Sequence, residues 1–197
     1  MHPLDKDSER TEGKGASSKL LHLHPDHLED SVLWDAFRKG DDRALVTMFD
    51  RYAQSLYNYG CKILSDRATV KDHVQDLFLE LCRKRGNLGE TNAIKFYLFK
   101  ALRRKLVRSK LKFPLISLIT SDLSTPSPEA DLINKESTEH QQQILEYRLT
   151  RLTNRQREAI FLRYYEELSF DKIAEIMDLR KQSIYNLINE SITILKK

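Results

Sequence analysis

The sequence predicts an all-α protein: two small helical domains joined by a flexible linker, the C-terminal one containing a helix-turn-helix. Apolar residues recur at helical spacings of three and four, and no stretch alternates in the manner of a strand. Pro114, Pro126 and Pro128 fall together among Ser and Thr residues between two helical blocks, a composition suited to a connector. Near the C-terminus two short periodic runs are separated only by Asp178-Leu179, as expected for helices joined by a tight turn. The length, 197 residues, suffices for two compact units of modest size.

Residues 1–29 are polar, carry Gly13, Gly15 and two prolines, and show no sustained apolar period; they read as a disordered tail. The N-terminal domain is expected over residues 30–112. Its first helix carries Val32, Leu33, Ala36 and Phe37, and Gly40-Asp41-Asp42 breaks the run. A second helix bears Leu45, Met48, Phe49, Tyr52, Leu56, Tyr59 and Ile63. A third follows Ser65-Asp66, either of which can cap it, sets Val70, Val74, Leu77, Phe78 and Leu81 on one face, and stops near Gly86. After a polar loop, residues 86–92, a fourth helix is expected over residues 93–111, with Phe99, Leu102 and Leu106 inward and Lys100, Arg104 and Arg108 along another stripe.

Residues 113–142 form the expected linker, and residues 143–197 the C-terminal domain. The latter resumes helical character with Gln143, Ile144, Leu145 and Leu149, then opens a helix on the capping box Thr153-Asn154-Arg155-Gln156 and continues it through Ile160, Leu162, Arg163 and Tyr164. The runs 169–177 and 180–195 complete the helix-turn-helix.

Charge is distributed unevenly. The net value, +4, is unremarkable, but residues 95–112 hold eight basic side chains and no acid, while residues 113–146 hold six acids against Lys135 alone. A basic helix of this kind suits an anionic partner such as nucleic acid. Apolar residues at 40% and charged residues at 31% exclude collagen-like, disulfide-scaffold and membrane classes. No run approaches the roughly 18–20 apolar residues of a bilayer span, nor does the N-terminus hold a signal-peptide core, so no membrane insertion and a cytoplasmic location are expected. Cys61 and Cys82 are too few for a disulfide framework and read as reduced thiols.

Catalysis has no visible apparatus: there is no Gly-rich phosphate loop, Ser-His-Asp arrangement or paired-carboxylate constellation, so no enzyme and no cofactor are expected. His22-x-His24-x-x-His27 is a metal candidate on a short segment without a carboxylate or thiol cluster of zinc-type spacing, and no metal site is assigned.

In a DNA-binding helix-turn-helix the second helix enters the major groove by its N-terminal part, where polar side chains must cluster. Here it begins Arg180-Lys181-Gln182-Ser183 and continues Tyr185-Asn186, while Ile184, Leu187, Ile188 and Leu195 supply an inward face. Arg, Gln and Asn can pair with base edges. On pattern alone this reading and a solvated helical hairpin are evenly matched. Asp178 stands where such turns often have Gly, and Asp tolerates left-handed backbone angles better than most residues.

Residues 152–188 resemble the C-terminal promoter-binding region of extracytoplasmic-function (ECF) sigma factors of the sigma-70 superfamily. Residues 153–158 fit the family's L-x-x-R-Q-R-E opening, residues 161–164 its FLRY helix and residues 168–176 its L-S-x-x-x-I-A-E-I helix. Upstream, residues 44–59 and the run Asp72-His73-Val74-Gln75-Asp76-Leu77-Phe78 resemble the N-terminal core region with its D-x-V-Q-[ED]-x-F signature. Cys82 stands where many members carry a large aromatic residue, and Glu190 where a positive charge is common.

The resemblance implies a non-catalytic subunit that joins the RNA polymerase core, directs promoter recognition and helps to open the duplex. Carried over by position, it implies that Asp72, Gln75, Asp76 and Glu80 dock on the clamp of the largest polymerase subunit. The loop and start of the fourth helix would read the melted −10 element through Asn87, Glu90, Thr91, Asn92, Phe96 and Tyr97, with Lys100, Arg103, Arg104 and Arg108 on phosphates. Arg180, Lys181, Gln182, Ser183, Tyr185 and Asn186 would face the −35 element, with Arg155 or Arg157 on its backbone. An anti-sigma factor is a further partner that the resemblance allows. The competing expectation is a stand-alone two-domain helix-turn-helix regulator that binds a two-fold operator without polymerase; a protein-only adaptor would show no salt-dependent DNA affinity.

Overall fold

A computed structural model describes residues 29–112 and 148–196. The proposed linker, nearly all of the proposed tail, the His22, His24 and His27 group and residues 143–147 lie outside the described residues. Among the described residues every regular element is helical, in agreement with the expected all-α class.

Helix α1 (Asp30–Arg38) buries Leu33, Trp34 and Phe37. It stops because Gly40 takes φ +102, a conformation that costs a residue without Cβ little, and Asp41 then caps the next helix by accepting a hydrogen bond from Arg43 N. Helix α2 (Asp42–Ile63) presents Ala44, Met48, Tyr52, Leu56 and Tyr59 inward at the spacing that keeps side chains on one face. Helix α3 (Arg67–Lys84) starts on Asp66, whose carboxylate accepts from Ala68 N and Thr69 Oγ1; the Thr69 bond holds its pKa below the usual range. A single 3-10 turn (Arg85–Asn87) leads through a loop into α4 (Ile94–Lys112).

Gly60 lets α2 and α3 approach. A Cβ there would lie 2.5 Å from Val70 Cγ1 and 3.4 Å from Leu106 Cδ1, both on buried, packed side chains. Overpacking of this kind costs about 1–3 kcal/mol, partly offset by the roughly 1 kcal/mol by which Ala favours a helix interior over Gly. Gly60→Ala is therefore expected to lower the urea midpoint, with a net loss on the order of 1 kcal/mol.

Asp30 ties the start of the bundle together. Its Oδ1 accepts from Tyr52 Oη and from Arg51 Nη1, and its Oδ2 accepts from Ile94 N at 2.9 Å, so one carboxylate joins α1, α2 and the first turn of α4. Burial, and then the bond to Asp30, push the Tyr52 phenol up to about 12 from 10.0. The folded chain therefore keeps a proton there that the unfolded chain releases. This contribution to stability is complete below pH 10 and is lost as pH rises towards 12. Urea unfolding at rising alkaline pH is expected to show that loss, and Tyr52→Phe to reduce the steepness.

Residues 148–150 are helical, and Arg148 Nη1 donates to Leu195 O at 2.6 Å. Helix α5 (Asn154–Ile160) opens on the expected capping box, with Thr153 and Gln156 bonding reciprocally. It then widens: Phe161–Tyr165 form a π-helical turn, closed by Glu166 N donating to Phe161 O. The sequence periodicity predicts an ordinary helix through this turn, and the structure departs from it. Widening keeps Phe161 and Leu162 inside while Tyr164 and Tyr165 face out. Glu167 reverses the chain at φ 55, Ser169 caps α6 (Phe170–Met177), and Asp178 sits left-handed at φ 53, ψ 52 before α7 (Lys181–Lys196). Asp178 thus adopts the conformation that its place in the turn requires.

Helices α1–α4 pack as one bundle and α5–α7 as another, and the two share a continuous apolar core in which α2 meets α5 and α4 meets α6. No helix among the described residues is long and apolar enough to cross a membrane.

Candidate nucleic-acid interface

The loop after α3 folds over α1 and α4 and leaves a recess of about 350 Å³. Trp34 anchors it: the buried indole donates from Nε1 to Gly89 O at 2.8 Å and meets the Tyr97 ring at 5.2 Å, pinning the loop to the bundle. Thr91 Oγ1 accepts from Ala93 N and so fixes the entry into α4. Phe96 lines one wall with Lys100 Nζ 5.2 Å from its ring centre, and Arg104 stands one turn further along. Aromatic faces beside two cations suit an unstacked base with its flanking phosphates.

Of the residues picked from sequence, Glu90, Thr91, Phe96, Tyr97, Lys100 and Arg104 line this recess; Asn87 and Asn92 are exposed on the same loop but do not line it. Sequence reasoning missed Trp34, Leu88 and Gly89. A lone tryptophan on an apolar helix face looks like core, and only the fold brings the loop onto it.

The basic helix α4 has two different polar sides. Arg104 and Arg108 are exposed. Lys95, Lys100 and Arg103 instead meet carboxylates of the C-terminal half: Lys95 Nζ lies 3.0 Å from Glu166 Oε2, Lys100 Nζ 2.9 Å from Glu175 Oε2, and Arg103 Nε 2.6 Å from Glu158 Oε1. Arg103 therefore points away from Arg104 and Arg108.

On α3, Asp72, Gln75, Asp76 and Leu79 share an exposed side opposite buried Val74, Phe78 and Leu81. Phe49 of α2 packs against Phe78 with ring centres 5.0 Å apart, and with exposed Val46 adds apolar surface on the neighbouring helix. Glu80 is engaged within the bundle by Lys105 and Lys84; the Lys105 bond lowers its pKa.

In the helix-turn-helix, Arg180, Gln182 and Asn186 are exposed, and Gln182 Nε2 donates to Asn186 Oδ1 at 3.1 Å, which orders both amides. Lys181 pairs with Asp171 at 2.9 Å, and this raises its pKa. Ser183 is half-buried, while Tyr185 stacks on Phe170 at 4.0 Å with Arg163 on that ring. Arg155 is exposed, whereas Arg157 bonds Asn154. Glu190, on the same helix, accepts from Gln156 of α5. Among the described residues no cluster of His, Cys, Asp or Glu is arranged to hold a metal ion.

Fold and surface together define a two-part helical protein with a helix-turn-helix and a recess beside a basic helix. Residues 142–191 match the family model described as Sigma-70, region 4. The chain has the fold of CnrH, solved in complex with the cytosolic domain of CnrY: 17% identity, TM-score 0.59, covering 86% of this chain and 96% of that one. It is equally similar to the sigma factor RpoE of Bartonella quintana, solved in complex with the anti-sigma factor NepR: 19% identity, TM-score 0.58, covering 76% and 92%. No curated protein matches the sequence significantly. A region 4 match thus falls on the half that carries the helix-turn-helix, on a fold shared with these solved structures. The stand-alone operator-binding reading is not favoured.

Proposed function

We propose that this chain is an ECF sigma factor, which binds the RNA polymerase core in the cytoplasm and opens promoters by dividing the work between its two halves, residues 30–112 and 143–197. The α3 side bearing Asp72, Gln75 and Asp76 docks on basic groups of the polymerase clamp. A base from the melted −10 element enters the recess, with Arg104 and Arg108 on neighbouring phosphates. Helix α7 enters the major groove of the −35 element, where Arg180, Gln182 and Asn186 meet base edges and Lys181 the backbone. The observation that carries this reading is the recess itself, a base-sized cavity between aromatic rings and cations in a chain that also has a region 4. Its relatives in complex with protein partners support an anti-sigma factor as a further partner.

Co-purification with core polymerase followed by run-off transcription tests the proposal. Promoter-dependent transcripts are expected, and an active core preparation that neither retains the chain nor initiates with it would refute the reading. Arg104→Ala with Arg108→Ala is expected to weaken DNA engagement alike for all sequences. The slope of log affinity against log salt should flatten by about 0.7 per lost single-strand phosphate contact, measured by titration at several salt concentrations.

A further inference from the structure

The two halves meet through charges that a melted strand would need. Glu158 of α5 is 5% exposed, and its Oε1 accepts from both Tyr59 Oη at 2.7 Å and Arg103 Nε at 2.6 Å. Glu166, 7% exposed after the π-helical turn, accepts from Ser55 Oγ and pairs with Lys95. Glu175 of α6 pairs with Lys100, itself a wall of the recess. Between these carboxylates runs an aromatic column: Phe99 on Tyr59, Tyr59 on Phe161 of the other half, and Phe161 on Tyr165.

We propose that the helix-turn-helix half is a built-in competitor for the single-strand surface: Glu158, Glu166 and Glu175 hold Arg103, Lys95 and Lys100 in place of nucleic-acid phosphates, so that a melted strand binds the opened chain. The inference rests on the function proposed above. A carboxylate and a phosphate oxygen make the same kind of charge-assisted bond to Lys and Arg, so one replaces the other without rebuilding the site. The ionic part of the seam is also separable, while the apolar contacts across it, Tyr59 on Phe161 among them, oppose opening. Breaking one partner of a buried pair strands the other, but opening the whole seam returns every ion to water together. Lys100 links the two events, because Glu175 and a phosphate at the recess compete for the same ammonium.

The test uses the full chain. Glu158→Gln, Glu166→Gln and Glu175→Gln together remove the three carboxylates at nearly constant volume. A control with Glu29→Gln, Asp50→Asn and Asp178→Asn makes the same change in net charge at exposed positions away from the seam. Small-angle scattering reads opening, and titration with a short mixed-sequence single-stranded DNA at fixed salt reads the surface. The seam variant is expected to expand and to bind the strand about tenfold more tightly, as follows if about a tenth of the parent chain is open. The control should do neither.

Equal gains in variant and control, or expansion without a gain, would overturn the competition. Should the triple variant fail to fold, Glu175→Lys changes one exposed side chain and is compared with Glu29→Lys. Equal strand affinity for those two would overturn it as well. Failure of the sigma-factor reading shows separately, as absence of core-polymerase association even for the opened variant.

Discussion

A chain carrying Asp72→Lys and Asp76→Lys is expected to lose core-polymerase binding by about a hundredfold or more, the cost of setting like charges against each other across an interface being several kcal/mol. Both side chains are exposed and one helical turn apart on α3, opposite the buried Val74 and Phe78, so the exchange leaves the core untouched. Thermal unfolding should therefore hardly change while retention on immobilised core polymerase collapses. Unchanged polymerase affinity would refute the docking assignment. Loss of affinity together with loss of fold would show that the α3 face is structural.

The largest stability effect is expected for Glu158→Ala. Removing that carboxylate leaves Arg103 charged and the Tyr59 hydroxyl fully buried, both without the oxygen they share. Breaking one side of a buried ion pair costs about 3–5 kcal/mol. The free energy needed to separate the two halves sets a ceiling on that penalty, because once they part, Arg103 is hydrated again. Denaturant unfolding distinguishes the two limits. A lower midpoint with a single transition means that the halves stay together, whereas two transitions mean that they have come apart. Arg103→Ala should be similarly costly, since it strands Glu158 in turn.

Much of the frame was legible because it depends on neighbours in sequence. The Thr153–Gln156 capping box, the Asp66 cap, the break at Gly40 and the turn at Asp178 are decided by residues within a few positions of one another. The recess was half legible: its loop residues stand out as a polar insertion before a basic helix, but Trp34 joins them only through a bond to Gly89, 55 residues away. The partition of α4 was only partly legible. The helical period turns Arg103 about 100° away from Arg104, but Lys100 shares the stripe of Arg104 and Arg108, and only Glu175, 75 residues distant, ties it to the other half. Glu158 read as one letter of a motif, yet it follows the buried Gln156 and precedes the buried Ala159 and Ile160, a setting in which an acid needs a cationic partner. The π-helical turn left no local signal; Phe161 within it stacks on Tyr59 of the other half, a contact between residues far apart in sequence.

Trp34 is the chain's single tryptophan, and it lies at the base of the recess with Tyr97 against it. The molecule therefore carries a native fluorophore at the point where the loop is fastened down. Selective excitation of the indole isolates one site in the chain, and a shift in its emission maximum would register the Gly89 contact loosening or a ring stacking nearby. Stopped-flow mixing of the unlabelled protein with a strand or with polymerase could then follow events at that site in real time, without introducing a dye or altering a residue.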